Sequence, residues 1–327
     1  MQAAFYTRQG PAAEVLVLGE QPTPQPGAGE VRVRLRTSGV NPSDYKVRKG
    51  GFGRALAYPL VIPHSDGAGV IDAVGEGVPA GRIGERVWLW NAQWNRPFGT
   101  AAQWIALPSA QAVAMPESLE DAEGACLGIP AFTALQAVRQ ADLQAGMTVL
   151  VAGGAGSVGH YAIQFASRRG ATVLTTVSSA AKADHARAAG AEHVIHYRDE
   201  DVGARVQALT GGRGVDAVIE MDFTANARLY PACVAPAATI VVYGMGATEA
   251  TLPTFWFMRQ RITLKFLYIY ELAQADRAAG LRELDGLLRA GALRHTVALR
   301  LPLAEIARAH DLVEHGQVLG HIVLDIP

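Results

Sequence analysis

The stretch VLVAGGAGSVG, residues 149–159, decides the fold. A run of β-forming residues leads into Gly154, Gly156 and Gly159, which are spaced G-x-G-x-x-G, and a helical pattern follows. Between a strand and a helix, this spacing is typical of a dinucleotide site. Gly154 would permit the tight turn, Gly156 would let the backbone approach a pyrophosphate, and Gly159 would let helix and strand pack closely.

The helix that follows the glycines completes the predicted phosphate site. It begins near Ser157, so that its first N–H groups and the positive end of its dipole would face the phosphates. We predict that six consecutive residues bind the cofactor here: Gly154, Ala155, Gly156, Ser157, Val158 and Gly159.

Alternating strand and helix patterns surround this turn. Five strand-like segments, from MTVLVA at residue 147 to TIVVYG at residue 239, are separated by helical stretches such as SVGHYAIQFASRRG. The alternation predicts an α/β fold, with a doubly wound parallel sheet covered by helices on both faces. Before about residue 116 the pattern is instead rich in strands and turns, as in EVRVRLRTSGV, and a mixed pattern resumes with ITLKFLYIY at residue 262.

The length of the chain and this change of pattern predict two domains. A chain of 327 residues is long for a single core. We expect a nucleotide-binding domain at residues 121–264, inserted between the two parts of a substrate domain, residues 1–120 and 265–327. The insertion explains why the phosphate turn lies in the middle of the chain.

Composition argues against several classes of protein. Twenty-nine Lys and Arg residues balance 30 Asp and Glu residues, so nucleic acid is not expected as the main partner. No apolar run is long enough to span a bilayer, and the first ten residues lack the layout of a signal peptide, so we expect no membrane partner. Cys126 and Cys233 are expected to be reduced, which is typical of a cytoplasmic protein.

The residues after the second strand of the predicted sheet, TVLTTV, indicate which dinucleotide binds. An NAD site usually places an acidic residue there to bind the ribose 2′-OH. This chain has Ser178 and Ser179 instead, and Lys182 follows within one turn. Hydroxyl and ammonium groups suit a 2′-phosphate, so we predict NADPH as the cofactor. The alternative is that the serines cap the next helix and that Lys182 is solvated.

Several separated motifs resemble the medium-chain dehydrogenase/reductase superfamily, in particular its zinc-free quinone oxidoreductase (zeta-crystallin-like) branch. They are SGVNPSDYKVRKG, IPHSDGAGVIDAVGEGV, FGTAAQWIALP, PAFTALQAV, VLVAGGAGSVGHYAIQFA, GAEHVIHYRDED and GHIVLDIP. The resemblance implies that both chain ends form a GroES-like β-barrel catalytic domain, with the nicotinamide entering the cleft between it and the Rossmann domain. It also implies a homodimer in which Rossmann sheets pair through their last strands.

The same resemblance bears on metal binding. Zinc-dependent members of the superfamily carry a cysteine in the segment matching SGVNPSD and a histidine in the segment matching PHSDGAG. This chain has no cysteine before Cys126, and Ser65 stands at the histidine position. Catalytic zinc needs three protein ligands, so His64 alone is expected to be a packed or hydrogen-bonded residue. We predict no metal.

The resemblance also implies site residues. Asn41 and Thr133 match residues that position the nicotinamide and the substrate, and the hydroxyl of Tyr45 is a candidate proton source. The alternative for Asn41 is a turn before proline, and for Thr133 a hydroxyl that bonds its own helical turn. Tyr197 would lie beside the adenosine and its 2′-phosphate. Backbone contacts to the cofactor are implied for Gly244, Met245, Phe266, Leu267 and Tyr268.

These features predict a zinc-independent, NADPH-dependent quinone oxidoreductase. Quinones and activated C=C bonds accept hydride with little activation, and they suit a site without metal. One alternative is a reductase of enones, enals or enoyl thioesters, for which Lys46, Arg48, Lys49 and Arg54 offer a basic cluster that could bind a carrier phosphate. An alternative of another class is a structural or RNA-binding crystallin-like protein.

Overall fold

Two separate large sheets organise the chain. The structure is a computed structural model that describes residues 1–53 and 55–327, without the side chain of Phe52. It divides into two units: the first consists of Met1–Pro130 and Gly286–Pro327, and the second of Ala131–Asp285. The sequence-based limits at residues 120/121 and 264/265 stay a prediction, although the second would cut the strand Thr263–Phe266.

The first unit contains nine strands and four helices among the residues described. The strands are β1 (Gln2–Phe5), β2 (Val17–Glu20), β3 (Glu30–Val40), β4 (Asp66–Val74), β5 (Arg86–Leu89), β6 (Trp104–Pro108), β7 (Ala112–Ala114), β14 (Val297–Pro302) and β15 (His321–Asp325). The helices are α1 (Ala12–Val15), α2 (Pro42–Arg48), α3 (Asp121–Gly124) and α12 (Ile306–Glu314).

The second unit alternates strands and helices. Its strands are β8 (Thr148–Val151), β9 (Thr172–Val177), β10 (His193–His196), β11 (Val215–Glu220), β12 (Val234–Val242) and β13 (Thr263–Phe266). Its helices are α4 (Phe132–Ala141), α5 (Ser157–Arg168), α6 (Ala180–Ala188), α7 (Val202–Leu209), α8 (Phe223–Asn226), α9 (Tyr230–Cys233), α10 (Thr254–Gln260) and α11 (Gln274–Arg289), the last of which runs into the first unit.

The sheet of the second unit is entirely parallel. Its order is β10-β9-β8-β11-β12-β13, in which the first strand of the unit lies at the centre and the chain winds outward in both directions. This is the strand order of dinucleotide-binding folds, and ligands bind such sheets at the carboxyl ends of the strands. All four residues of β8 are buried, as expected for a central strand covered on both faces. The predicted α/β fold is confirmed.

The first unit is built around β3. This eleven-residue strand alternates buried and more exposed residues along its first half and pairs antiparallel with β4, β6 and β15. Its buried side chains include Val31, Val33 and Leu35, which pack with Ile71 of β4. The end of β3 and the start of β4 therefore lie side by side, which brings residues near 40 and 66 together. In the described part of the chain, no helix is long and apolar enough to cross a membrane.

Candidate active site

The phosphate turn has a different geometry from the one predicted. The left-handed residue is Gly153, with φ +66°, and not Gly154, to which we assigned the tight turn. Gly154 is needed for packing, because a Cβ there would lie 2.1 Å from the Thr175 hydroxyl oxygen of β9. The glycine motif alone therefore places the turn one residue too late.

Gly156 and Gly159 differ in what surrounds them. A Cβ on Gly159 would lie 2.4 Å from the backbone oxygen of Gly153, which fits the close helix–strand packing predicted for it. A Cβ on Gly156 would meet no described atom closer than 3.4 Å. Gly156 is the N-cap of α5, with φ −74° and ψ 162°, and no side chain caps the helix. Protein packing does not explain the glycine at position 156, whereas close approach of a pyrophosphate does.

The residues proposed for the 2′-phosphate lie at the carboxyl ends of β9 and β10. His196 pairs with Val177 across these strands, and the Tyr197 N–H donates to the Val177 carbonyl at 3.2 Å, so Ser178 and Tyr197 leave the sheet side by side. The Tyr197 side chain is half exposed. This arrangement brings both residues to the edge where parallel sheets bind nucleotides.

The capping alternative holds for Ser179. Its hydroxyl accepts the Lys182 N–H at 3.4 Å and caps α6. The Lys182 ammonium group makes no hydrogen bond or ion pair with the described residues, so it is available to an anion. Arg198, which we did not select from the sequence, is exposed next to Tyr197 and likewise has no ion pair with the residues described.

Thr133 has an unsatisfied hydroxyl. It lies in α4 with 4% of its surface exposed, and its Oγ1 has no hydrogen-bond partner among the described residues. The alternative, in which the hydroxyl bonds its own helical turn, is therefore not realised. Leaving a buried hydroxyl unpaired costs about 1–3 kcal/mol, which a bound ligand could recover.

The remaining predicted cofactor residues follow β12 and β13. Gly244 and Met245 come directly after Tyr243, whose N–H donates to the Glu220 carbonyl. Phe266 and Tyr268 are exposed, whereas Leu267 is buried and its N–H donates to the Val242 carbonyl at 2.8 Å. All of them lie at the carboxyl edge of the parallel sheet.

Glu220, a residue that we did not predict, anchors the end of β11. It is buried, and its carboxylate accepts hydrogen bonds from the Asn226 amide at 3.1 Å, from the Tyr230 hydroxyl and from the Asp222 N–H. Burial raises its pKa above the usual range, and these hydrogen bonds partly oppose that shift. Its only sequence signal is an acid that ends the otherwise apolar run AVIE.

In the first unit, Asn41 lies between two buried carboxyl groups. Its backbone N–H donates to Asp44 Oδ2 at 2.7 Å, and its side-chain Nδ2 donates to Asp66 Oδ2 at 2.8 Å. Burial raises the pKa of Asp44 to about 7 and that of Asp66 well above its usual range, although the bonds from Asn41 act in the opposite direction. Asn41 also precedes Pro42 at the start of α2, as the turn alternative expects. The bond to Asp66, which the sequence pattern does not reveal, fixes the orientation of the Asn41 amide.

Hydrogen bonds from two neighbouring side chains hold the His64 ring in place. The residue is buried with φ +78°, its Nδ1 lies 2.8 Å from the Ser38 hydroxyl, and its Nε2 lies 2.9 Å from Nε2 of His310. Burial lowers the pKa of His64 to about 3. The expectation of a packed, hydrogen-bonded histidine is confirmed. Within residues 1–53 and 55–327, no three His, Cys, Asp or Glu side chains are grouped so that they could hold a metal ion.

Two members of the basic cluster predicted from residues 46–54 form ion pairs with the same carboxylate. Arg48 is fully buried and donates to Glu314 at 2.8 Å, and the Lys49 ammonium group pairs with the same carboxylate. Arg54 lies outside the described residues. Tyr45 is partly buried near this carboxylate. Its pKa is raised mainly by burial and also by the negative charge of Glu314. The burial of Arg48 therefore argues against this residue as part of a carrier-phosphate cluster, whereas Lys49 is paired but half exposed and its part stays a prediction.

We expect Asp44→Asn to change how stability depends on pH. The native pKa is raised, so between pH 4 and 7 the unfolded chain releases a proton that the native state retains, and stability falls as pH rises. Removing the group should make this slope less negative by up to about 1.4 kcal/mol per pH unit. Urea unfolding at several pH values measures it. The exposed Glu117→Gln is the control with the same charge change, and an unaltered slope in Asp44→Asn would refute the assignment.

Comparison with known proteins identifies the family. The family model for the alcohol dehydrogenase GroES-like domain matches residues 27–117, and the model for zinc-binding dehydrogenase matches residues 157–285. A 2-haloacrylate reductase from Burkholderia sp is 30% identical, with 99% of this chain and 98% of the relative covered. A quinone oxidoreductase from Pseudomonas aeruginosa is 32% identical, with 95% of each chain covered. This chain belongs to the medium-chain dehydrogenase/reductase superfamily, in its quinone oxidoreductase branch.

Solved structures agree with this assignment. An NAD-dependent alcohol dehydrogenase superimposes with a TM-score of 0.91 at 29% identity, with 100% of both chains covered. A mycobacterial protein complexed with NADPH superimposes with a TM-score of 0.89 at 29% identity, with 99% of this chain and 100% of the other covered. The GroES-like and Rossmann folds expected from the resemblance are confirmed, and the chain is an oxidoreductase of a family that uses a nicotinamide cofactor.

Proposed function

We propose that this oxidoreductase transfers hydride from NADPH to a quinone without a metal. The observation that carries the proposal is Asn41. In the segment where zinc-dependent members hold a metal-binding cysteine, this chain has a neutral amide fixed between two buried carboxyl groups. An amide can donate a hydrogen bond to an acceptor carbonyl but is a poor zinc ligand. Ser65, at the histidine position, is buried and supplies no imidazole.

The residues of the second unit fit a dinucleotide. The open space at Gly156 would admit the pyrophosphate, and Ser178, Lys182 and Tyr197 would hold the 2′-phosphate end. The orphaned Thr133 hydroxyl would bond the nicotinamide end. When bound, NADPH supplies the hydride. Backbone contacts to the cofactor are proposed for Gly244, Met245, Phe266, Leu267 and Tyr268.

Asn41 would orient the acceptor. Asp66 holds the amide through Nδ2, and burial raises the pKa of the Asp66 carboxyl well above its usual range, which favours its neutral form beside the electron-rich product. A reduced quinone can take its proton from water, and a partly buried Tyr45 hydroxyl is a second source. Reduction of a quinone therefore needs no dedicated general acid in this chain.

The test of this function is an acceptor panel. Loss of NADPH or NADH absorbance is followed with 1,4-benzoquinone, phenanthrenequinone and a simple enone, with and without a chelator. We expect NADPH-dependent reduction of the quinones that the chelator does not alter. Inhibition by the chelator would contradict metal independence, and failure of all acceptors despite NADPH binding would contradict the assigned chemistry.

Reduction of an activated C=C bond is the second candidate. It is favoured by the similarity to a 2-haloacrylate reductase over nearly the whole chain. Turnover of the enone alone in the acceptor panel would select it. The pairing of Arg48 and Lys49 with Glu314 argues against a carrier-bound thioester as the acceptor.

The preference for NADPH is tested at Lys182. Lys182→Ala removes an unpaired ammonium group and should raise the Kd for NADPH about 10-fold, since a charge-assisted hydrogen bond contributes about 1.5–3 kcal/mol. The Kd for NADH should not change. Arg187→Ala on the same helix is the control, because that side chain pairs with Asp184. If fluorescence titration showed that Lys182→Ala changes the Kd values for NADPH and NADH by the same factor, Lys182 would be merely solvated.

We also propose a homodimer formed through β13. This strand is the edge of the parallel sheet, and Phe255, Met258 and Phe266 near it are 69–77% exposed. Exposed edges with apolar neighbours are a liability unless another chain covers them. Light scattering should give about twice 34.6 kDa, and Met258→Glu should reduce that mass. A monomer mass for the parent protein would contradict the dimer.

A further inference from the structure

Two side chains join the segments that follow β11 and β12. The Thr224 hydroxyl donates to Asp222 Oδ1 at 2.6 Å, and Asp222 caps α8 by accepting the Ala225 N–H. Both side chains also accept from the neighbouring segment. The Gly246 N–H lies 2.9 Å from Asp222 Oδ1 and 3.1 Å from Thr224 Oγ1, and the Ala247 N–H lies 3.2 Å from Thr224 Oγ1.

Met221, at the start of the same segment, separates two loops of the proposed cofactor site. A Cβ on Gly153 of the phosphate turn would lie 2.2 Å from Met221 Sδ, and a Cβ on Gly244 would lie 2.1 Å from the Met221 carbonyl oxygen. The carboxylate of the buried Glu220 accepts the Asp222 N–H and so holds this segment in place. Residues 221–224 are therefore in contact with both loops.

The segment after β12 is held at its start by the Phe223 N–H, which donates to the Gly244 carbonyl at 3.4 Å. Residues 245–249 are exposed, and in the described structure Asp222 and Thr224 are the acceptors for the N–H groups of Gly246 and Ala247. Exposed loops without such bonds sample several conformations. The Thr224 hydroxyl accepts from both of these N–H groups and donates to Asp222, and it is the described acceptor of the Ala247 N–H.

We propose that Thr224 is a positioning residue for cofactor binding, one that holds Gly244 and Met245 in the conformation that receives the nicotinamide end. This inference rests on the proposed NADPH site. Holding the loop before binding reduces the entropy lost when the cofactor binds, so removing the hydroxyl should weaken the nicotinamide half of the interaction. The adenosine half, at Ser178 and Tyr197, should be unaffected.

The experiment compares Thr224→Val, which keeps the shape without the hydroxyl, with Thr224→Ser, which keeps the hydroxyl. Fluorescence titration gives the Kd values for NADPH and for adenosine 2′,5′-bisphosphate. Thr224→Val should raise the Kd for NADPH about 5- to 10-fold and leave that for the bisphosphate within about twofold. Thr224→Ser should resemble the parent. Amide hydrogen exchange at Ala247, whose described acceptor is the Thr224 hydroxyl, should speed up only in Thr224→Val.

Each other result overturns the proposal. An unchanged Kd for NADPH in Thr224→Val shows that the loop needs no fixing, and a parallel loss for the bisphosphate shows general damage to the unit. Unchanged exchange at Ala247 shows that Thr224 does not hold the loop. If the parent binds neither ligand, the NADPH site itself fails and the cofactor role of Thr224 fails with it, whereas a parent that binds both leaves the proposed site intact.

Discussion

Gly156→Ala is expected to weaken NADPH binding about 100-fold with only a small change in the Tm. The residue has an extended conformation that any amino acid adopts, and a Cβ there meets no described atom closer than 3.4 Å. Alanine restricts the unfolded chain, which stabilises the fold by about 0.4–1 kcal/mol, but Gly156 is the N-cap of α5, where alanine is less favourable than glycine, so the two effects oppose each other. The new methyl group would instead occupy the space that the pyrophosphate needs. Titration with NADPH and thermal unfolding of the same sample measure both effects.

Gly159→Ala is the matched control. Its Cβ would lie 2.4 Å from a backbone oxygen that cannot move aside, so we expect both the Tm and NADPH binding to fall. The pair separates a glycine required by the ligand from one required by packing. NADPH binding by Gly156→Ala that equals that of the parent would mean that the turn does not receive a pyrophosphate.

Asn41→Ala should lower kcat/KM for quinone reduction about 100-fold, equivalent to about 2.7 kcal/mol of transition-state stabilisation. The change removes the amide that would orient the acceptor and deprives Asp66 of its donor at 2.8 Å. The bond to Asp44 comes from the backbone N–H and survives. The Kd for NADPH should change only a few-fold. Steady-state kinetics with a quinone, together with NADPH titration, measure these values.

The control for Asn41 is Asp66→Asn. Burial raises the pKa of Asp66 and so favours its neutral form, and an asparagine oxygen can accept the same hydrogen bond, so most of the activity should remain. If Asn41→Ala retained the parent kcat/KM, Asn41 would have only its structural role before Pro42. A decrease in Asn41→Ala that matched a loss of folded protein by thermal unfolding would lead to the same conclusion.

The sequence predicts a strand correctly where its apolar pattern covers the same residues as the pairing of that strand in the sheet. EVRVRLRTSGV and TVLTTV coincide with β3 and β9, because each apolar pattern runs the full length of a paired strand. ITLKFLYIY does not: β13 stops at Phe266, which pairs with Val242, the last residue of the neighbouring strand β12. β12 also begins five residues before TIVVYG. The sequence pattern does not show this first part of the strand, because Ala237, with φ +62°, interrupts it.

The candidate site was predictable only where its residues are close in sequence. The glycine turn lies within one segment, and its spacing carries the chemistry. Asp66 acts on Asn41 from 25 residues away, and Thr224 reaches Gly246 from 22 residues away, so neither contact leaves a local pattern. Glu220 and Asp66 also look like ordinary acids in the sequence. Only their burial in the folded chain distinguishes them.

The central claim is direct hydride transfer from NADPH to a quinone without a metal. The most direct measurement is a single-turnover stopped-flow reaction of the NADPH complex with a quinone in the presence of chelator, using NADPH and its form deuterated at the transferred C4 position. We expect a transfer rate that the chelator does not alter and that deuterium slows. A rate abolished by the chelator, or NADPH that stays reduced in the bound complex, would contradict the account.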